Sequence, residues 1–146
     1  YRCPLPITFN DLARSPVKKM GVALEWLFRS SGPLTIGAGQ VGIFSKSRPE
    51  LATPDIQFHV GTLSADMAGG KPHPFPGFTL SVCQLRPESR GHIRIRSADP
   101  LEPPEMQPNY LSTDLDRRMA VAAVKTARAV AASAAMRPWR TPSRRA

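Results

Sequence analysis

Sixteen of the 146 residues are proline, well above ordinary usage. Proline fixes φ, carries no N–H and stops both helices and central strands. A chain so rich in it cannot be a helical bundle; many loops and irregular connections are expected between short elements. At this length one domain with a real core is expected, and not two.

The first element reads from residue 15 to residue 29. Ser15 has the chemistry of an N-cap and Pro16 falls at the first helical position, where its missing N–H is no loss. Val17, Met20, Leu24, Leu27 and Phe28 recur at three- and four-residue steps as one apolar stripe, and Gly32-Pro33 should end the helix. Short β-like runs are expected at 41–46 and 55–60, the second alternating Ile56, Phe58 and Val60 against Gln57 and His59. Residues 62–77, with Gly69-Gly70 and three prolines, read as a long loop.

The clearest strand signals are 78–85 and 92–97, and "RPESRG" between them suits a hairpin with Gly91 at the bend. In that reading Ile93 and Ile95 face inward, and Arg94 and Arg96 face solvent or a neighbouring domain. "DPLEPPEMQPNYL" runs as an extended connection. A long alanine-rich helix then starts near Thr113, where Thr113-x-x-Asp116 has the form of a capping box, and Pro138 stops it. Strands that cluster mid-chain and pair locally, with helices at either end, predict an antiparallel α+β domain. The domain should span residues 1–137, with 138–146 as a basic disordered tail.

"TIGAGQVGIF" places Gly37, Gly39 and Gly42 in the spacing G-x-G-x-x-G. A dinucleotide cradle needs a strand delivering the first glycine, a helix starting at the third and an acid about 20 residues on. Here Pro33 precedes the first glycine closely, "IFSKSRPE" after the third has no helical period, and Asp55 opens a strand of its own. The spacing is accidental, and the glycines turn the backbone.

The net charge is +9, but Arg137, Arg140, Arg144 and Arg145 crowd the last ten residues. The rest is scattered, so nucleic-acid binding is not expected; a basic binding module using Arg94, Arg96 and the tail stays as an alternative. Two cysteines in no C-x-x-C arrangement suit a reducing, cytoplasmic setting. No run approaches the ~20 apolar residues of a membrane span. His59, His73 and His92 have no metal-ligand spacing, and no metal is expected. The first residue is Tyr, not Met, so the sequence is expected to be a piece of something longer.

Taken in order, "GPLTIGAGQVGIF" (32–44), "SRPELATPDIQFHVG" (47–61) and "PGFTLSVCQLRPESRGHIRIRSADPLEPPEMQPNYL" (76–111) resemble the glucose–methanol–choline (GMC) oxidoreductases, choline dehydrogenase-like members above all. The resemblance covers about residues 1–137. It implies a substrate-binding domain: a mostly antiparallel sheet with helices on one side, closing a cavity over FAD held by a separate FAD-binding domain. In that family an alcohol gives a proton to a histidine base and a hydride to the flavin.

By the resemblance, Gln40 matches a site where choline-oxidising relatives place a glutamate, so charge selection of a quaternary ammonium is in doubt. His59 matches a cavity-facing histidine that positions the alcohol, and Phe44 and Phe58 are pocket-lining candidates that would serve equally well in a core. The family's H-P-x-G-T motif and its dinucleotide fingerprint are absent from these residues. No catalytic or cofactor-binding residue is therefore expected here, and the chain alone should neither hold FAD tightly nor oxidise alcohols. A homodimer through a face left uncovered, and an inactive truncated piece, are the remaining alternatives.

Overall fold

A computed structural model describes residues 1–37, 39–67 and 69–141. Among them, α1 (Phe9–Arg14) and α2 (Pro16–Arg29) lead through a 3-10 turn (Pro33–Thr35) into strands β1 (Val41–Ser45), β2 (Ile56–Gly61) and β3 (Thr79–Gln84). A two-stranded ribbon, β4 (His92–Arg94) with β5 (Glu105–Gln107), precedes α3 (Asp114–Ala132) and a second 3-10 turn (Ala134–Trp139). The architecture is α+β and antiparallel, as expected.

The three-stranded sheet runs in the order β1-β2-β3, with Gly42 opposite His59 and His59 opposite Ser81. Alternation along β2 sends Ile56 and Phe58 to one face, where both are buried. There they meet Met119, Ala123 and Ala127 of α3, with Val82 and Leu115 at the margin. The alanines explain the closeness of this packing: a methyl group is all that separates the helix backbone from the sheet. This core is small, and one side of the sheet has no share in it.

Thr113 caps α3 as the sequence predicts, its hydroxyl accepting the Asp116 N–H at 3.2 Å. The other half of the expected capping box does not form. The Asp116 carboxylate, 1% exposed, turns instead to Gln84 Nε2, the Glu88 N–H and the Ser89 N–H at 2.9, 3.0 and 2.8 Å. That contact also overturns the predicted hairpin. Residues 88–89 are drawn to the first turn of α3, so β3 pairs only with β2, and β4 finds β5. The strand expected at 92–97 shortens to three residues, and Ile93 and Ile95 are exposed, not inward-facing.

Helix α2 starts where expected, with the Ser15 hydroxyl accepting the Lys18 N–H. It ends at Ser30, which takes a left-handed φ of 49°, just ahead of Gly32 at 87°. Its apolar stripe is real, yet no residue of α2 is buried; Val17 and Phe28 are 82% and 78% exposed.

Helix α1 escapes sequence reading because one and a half turns give no period. It is fixed by polar contacts: Asp11 accepts both the Thr8 N–H and the Thr8 hydroxyl. Asn10, fully buried, accepts the Ser64 N–H and donates to the carbonyls of Ser64 and His73. The long loop after β2 is thereby clasped at both ends.

Helix α3 gives way at Ser133, before Pro138, which lies within the second 3-10 turn. The first part of the segment expected to be a disordered tail is held, since the Thr141 N–H donates to the Arg2 carbonyl at 2.8 Å. Residues 142–146 lie outside the described residues.

Candidate active-site face

The site is built by the alternation that builds the core. With Ile56 and Phe58 turned toward α3, Gln57 and His59 must turn the other way. Direct cross-strand partners share a face, so the registers Phe44↔Gln57↔Cys83 and Gly42↔His59↔Ser81 lay out two adjacent rows. Phe44, His59, Ser81 and Cys83 are all exposed, in contrast with the α3 side. Cys83 Sγ reaches Gln57 Oε1 at 4.0 Å. The result is a polar, uncharged surface with one imidazole at its centre and one aromatic ring beside it.

Gln40 lies one residue before β1 and its N–H donates to the Val60 carbonyl at 3.0 Å. It thus stands at the end of this surface, exposed to solvent. Gly39 runs past the imidazole: a Cβ on it would lie 3.9 Å from His59 Nδ1. Gln40, Phe44 and His59 are therefore brought into one neighbourhood. Phe58 is not. At 3% exposure it belongs to the core against α3, and the period-2 geometry that exposes His59 is what buries it.

The glycine fingerprint does not fit a dinucleotide. Gly42 lies inside antiparallel β1, and no helix begins there. The carboxylate of Asp55 is taken by Ser47, whose N–H and hydroxyl donate to it at 2.7 and 2.6 Å, closing the turn between β1 and β2. Two of the three glycines border His59 instead.

The other histidines serve elsewhere. His73 stacks on Phe75 with Nε2 3.0 Å from Asp66, and His92 lies 3.3 Å from Glu105 across the exposed ribbon. No cluster suited to a metal ion occurs among the described residues. Sequence reasoning missed an apolar cleft of about 470 Å³ between α1, α2 and the first 3-10 turn, lined by Phe9, Leu12, Val22, Leu34 and Leu63. No single-sequence signal could have found it, because it depends on the angle between two helices.

Comparison with known proteins bears on all of this. Residues 87–145 match the family model described as GMC oxidoreductase. Over 94% of its length the chain is 35% identical to the mitochondrial choline dehydrogenases of Mus musculus and Homo sapiens, covering 23% of each. It is 35% identical to an alcohol dehydrogenase (acceptor) of Pseudomonas putida, over 88% of the chain and 23% of that protein. An oxygen-dependent choline dehydrogenase of Staphylococcus aureus is 30% identical over 95% of the chain and 24% of its own length. The chain spans about a quarter of the length of these relatives.

Proposed function

We propose, from this kinship with the GMC oxidoreductases, that the chain is the substrate-binding domain of an FAD-dependent alcohol dehydrogenase. The observation that supports the reading is the uncovered sheet face, with His59 at its centre, Phe44 beside it and Gln40 at its end. An alcohol needs little from such a surface: a donor–acceptor for its hydroxyl, an apolar wall for its carbon chain and shelter from water. The imidazole supplies the first and Phe44 the second. The cofactor supplies the oxidising power, and the residues described here offer it no pyrophosphate cradle. In this reading FAD is held by an FAD-binding domain in the rest of the flavoprotein.

The uncovered apolar groups of α2 and of the β4–β5 ribbon are the surfaces we assign to contact with that domain. The exposed set includes Val17, Leu27, Phe28, Ile93 and Met106. Gln40 brings no negative charge to the face, so a neutral alcohol is as well served as choline. Both cysteines are free thiols, in keeping with a reducing compartment; the cytoplasm remains our placement, while the mouse and human relatives carry the word mitochondrial in their names. No described helix is long and apolar enough to cross a membrane.

The test is His59→Ala in the flavoprotein that carries this segment. Loss of a positioning hydrogen bond should lower kcat/KM by roughly ten- to a hundred-fold with flavin content unchanged. Unaltered kinetics would deny His59 a role in positioning substrate and remove the support for the reading.

A further inference from the structure

Among the described residues, nothing requires position 42 to be glycine. It occupies the second position of a strand whose register continues unbroken from Val41 to Ser45, so it marks no bulge. Its φ is not in the left-handed region, where Gly32 and Gly69 lie. A Cβ placed on it would meet nothing within 4 Å, so no neighbouring backbone or side chain demands the gap. Glycine inside a strand costs about 0.5–1 kcal/mol relative to alanine. When bulge, bend and crowding within the domain are absent, the remaining causes of a strand glycine are close approach of a ligand or of a backbone from outside the domain. The exposed imidazole beside Gly42 favours the ligand.

The position indicates which ligand. Gly42 is the direct cross-strand neighbour of His59, and side chains so paired have Cβ atoms about 4.5–5.5 Å apart. Any side chain at 42 would stand against the flank of the imidazole. Gly61, two residues beyond His59 on the same strand face, is bare as well, and Ser81 on the far side is small. Phe44, 59% exposed, bounds this floor two residues along β1.

We propose that Gly42 is a specificity-determining position: its missing side chain leaves the notch beside His59 that receives the carbinol end of a neutral primary alcohol, whose chain then runs over Phe44. The proposal rests on the functional reading above and adds the shape of the substrate to it. A substrate hydroxyl bonded to the imidazole must bring its carbinol carbon within van der Waals reach of the Gly42 Cα. A branch at that carbon, or a methyl group at position 42, competes for the same volume.

The experiment uses the flavoprotein carrying this segment, with Gly42→Ala, Gly42→Val and His59→Ala assayed against straight-chain primary alcohols and their secondary isomers. Gly42→Val should raise KM for primary alcohols tenfold or more at unchanged flavin content, with Gly42→Ala intermediate. Wild type should prefer the primary isomer. If Gly42→Val matches wild type on every alcohol while His59→Ala is impaired, the notch is refuted and the functional reading survives. If both variants match wild type, the functional reading fails with it. Should Gly42→Val lose its flavin, Gly42→Ala decides, because the structure leaves open space for one methyl group.

Discussion

The carboxylate of Asp116 accepts the backbone N–H of Ser89 at 2.8 Å, tying the first turn of α3 to the loop that leaves β3. Gln84 and Glu88 donate to the same group, so a single side chain fixes the angle between helix and sheet. Hydrogen bonds from the Ser89 hydroxyl first, then from the Glu88 and Ser89 N–H groups and the Gln84 amide, hold this carboxyl well below the usual carboxylate range. Asp116→Ala leaves the Glu88 and Ser89 N–H groups without their acceptor and should lower Tm by more than about 5 °C. A thermal melt at pH 7 that overlays wild type would contradict it.

The same group sets an acid limit. A carboxyl whose folded pKa is depressed adds stability that is fully present above about pH 4. That stability is lost as pH falls toward the folded value, because the unfolded chain takes up the proton first. Denaturant midpoints measured down to pH 2.5 should fall more steeply for wild type than for Asp116→Asn, which has no proton to bind. Parallel profiles would place the acid sensitivity elsewhere.

Asn10 makes a different kind of clasp. Removing its amide strands the Ser64 N–H and deprives two carbonyls of a donor in a fully buried setting. Asn10→Ala should cost about 3 kcal/mol and speed proteolysis within residues 62–77. Protease resistance equal to that of wild type would show that the loop holds itself.

Glycine substitutions should separate into two classes. A Cβ on Gly91 would lie 2.2 Å from the Gln107 carbonyl oxygen and 2.6 Å from that of Pro108, backbone atoms that cannot move aside singly. Gly91→Ala should therefore release the amides of β4 and β5 to fast hydrogen exchange. Gly42→Ala should leave stability unchanged or raise it by up to about 1 kcal/mol. Retained protection of the ribbon in Gly91→Ala would contradict the assigned pairing of His92 with Gln107.

The α3–sheet contact tolerates little added volume. Ala123 and Ala127 are 2% and 7% exposed and pack against Ile56 and Phe58. Ala123→Leu should destabilise by about 1–3 kcal/mol, whereas Val121→Leu on the exposed side should change stability by less than about 0.5 kcal/mol. Equal effects would mean that α3 is not seated as described.

What could be read from the sequence was what local chemistry decides. Ser15 and Thr113 cap their helices, the alternation of "DIQFHV" sorts Phe58 from His59, and the failure of the glycine spacing as a dinucleotide motif follows from its flanks. What could not be read depends on distant partners. The hairpin expected between 78–85 and 92–97 lost to Asp116, twenty-seven residues beyond Ser89. The apolar stripe of α2, together with Ile93 and Ile95, carries the pattern of core positions but is not covered within these residues. Gln40, Phe44 and His59 were singled out through family resemblance, and the structure brings them into one neighbourhood. Phe58, which the resemblance left open between pocket and core, lies in the core.

The most direct measurement is the rate at which an alcohol bleaches the flavin's visible absorbance, without oxygen, in the flavoprotein carrying this segment. Wild type should bleach rapidly with a primary alcohol, and His59→Ala should do so at least tenfold more slowly while retaining its FAD. Equal rates in the two proteins, or a wild type that no alcohol can reduce, would contradict a substrate-binding sheet centred on His59.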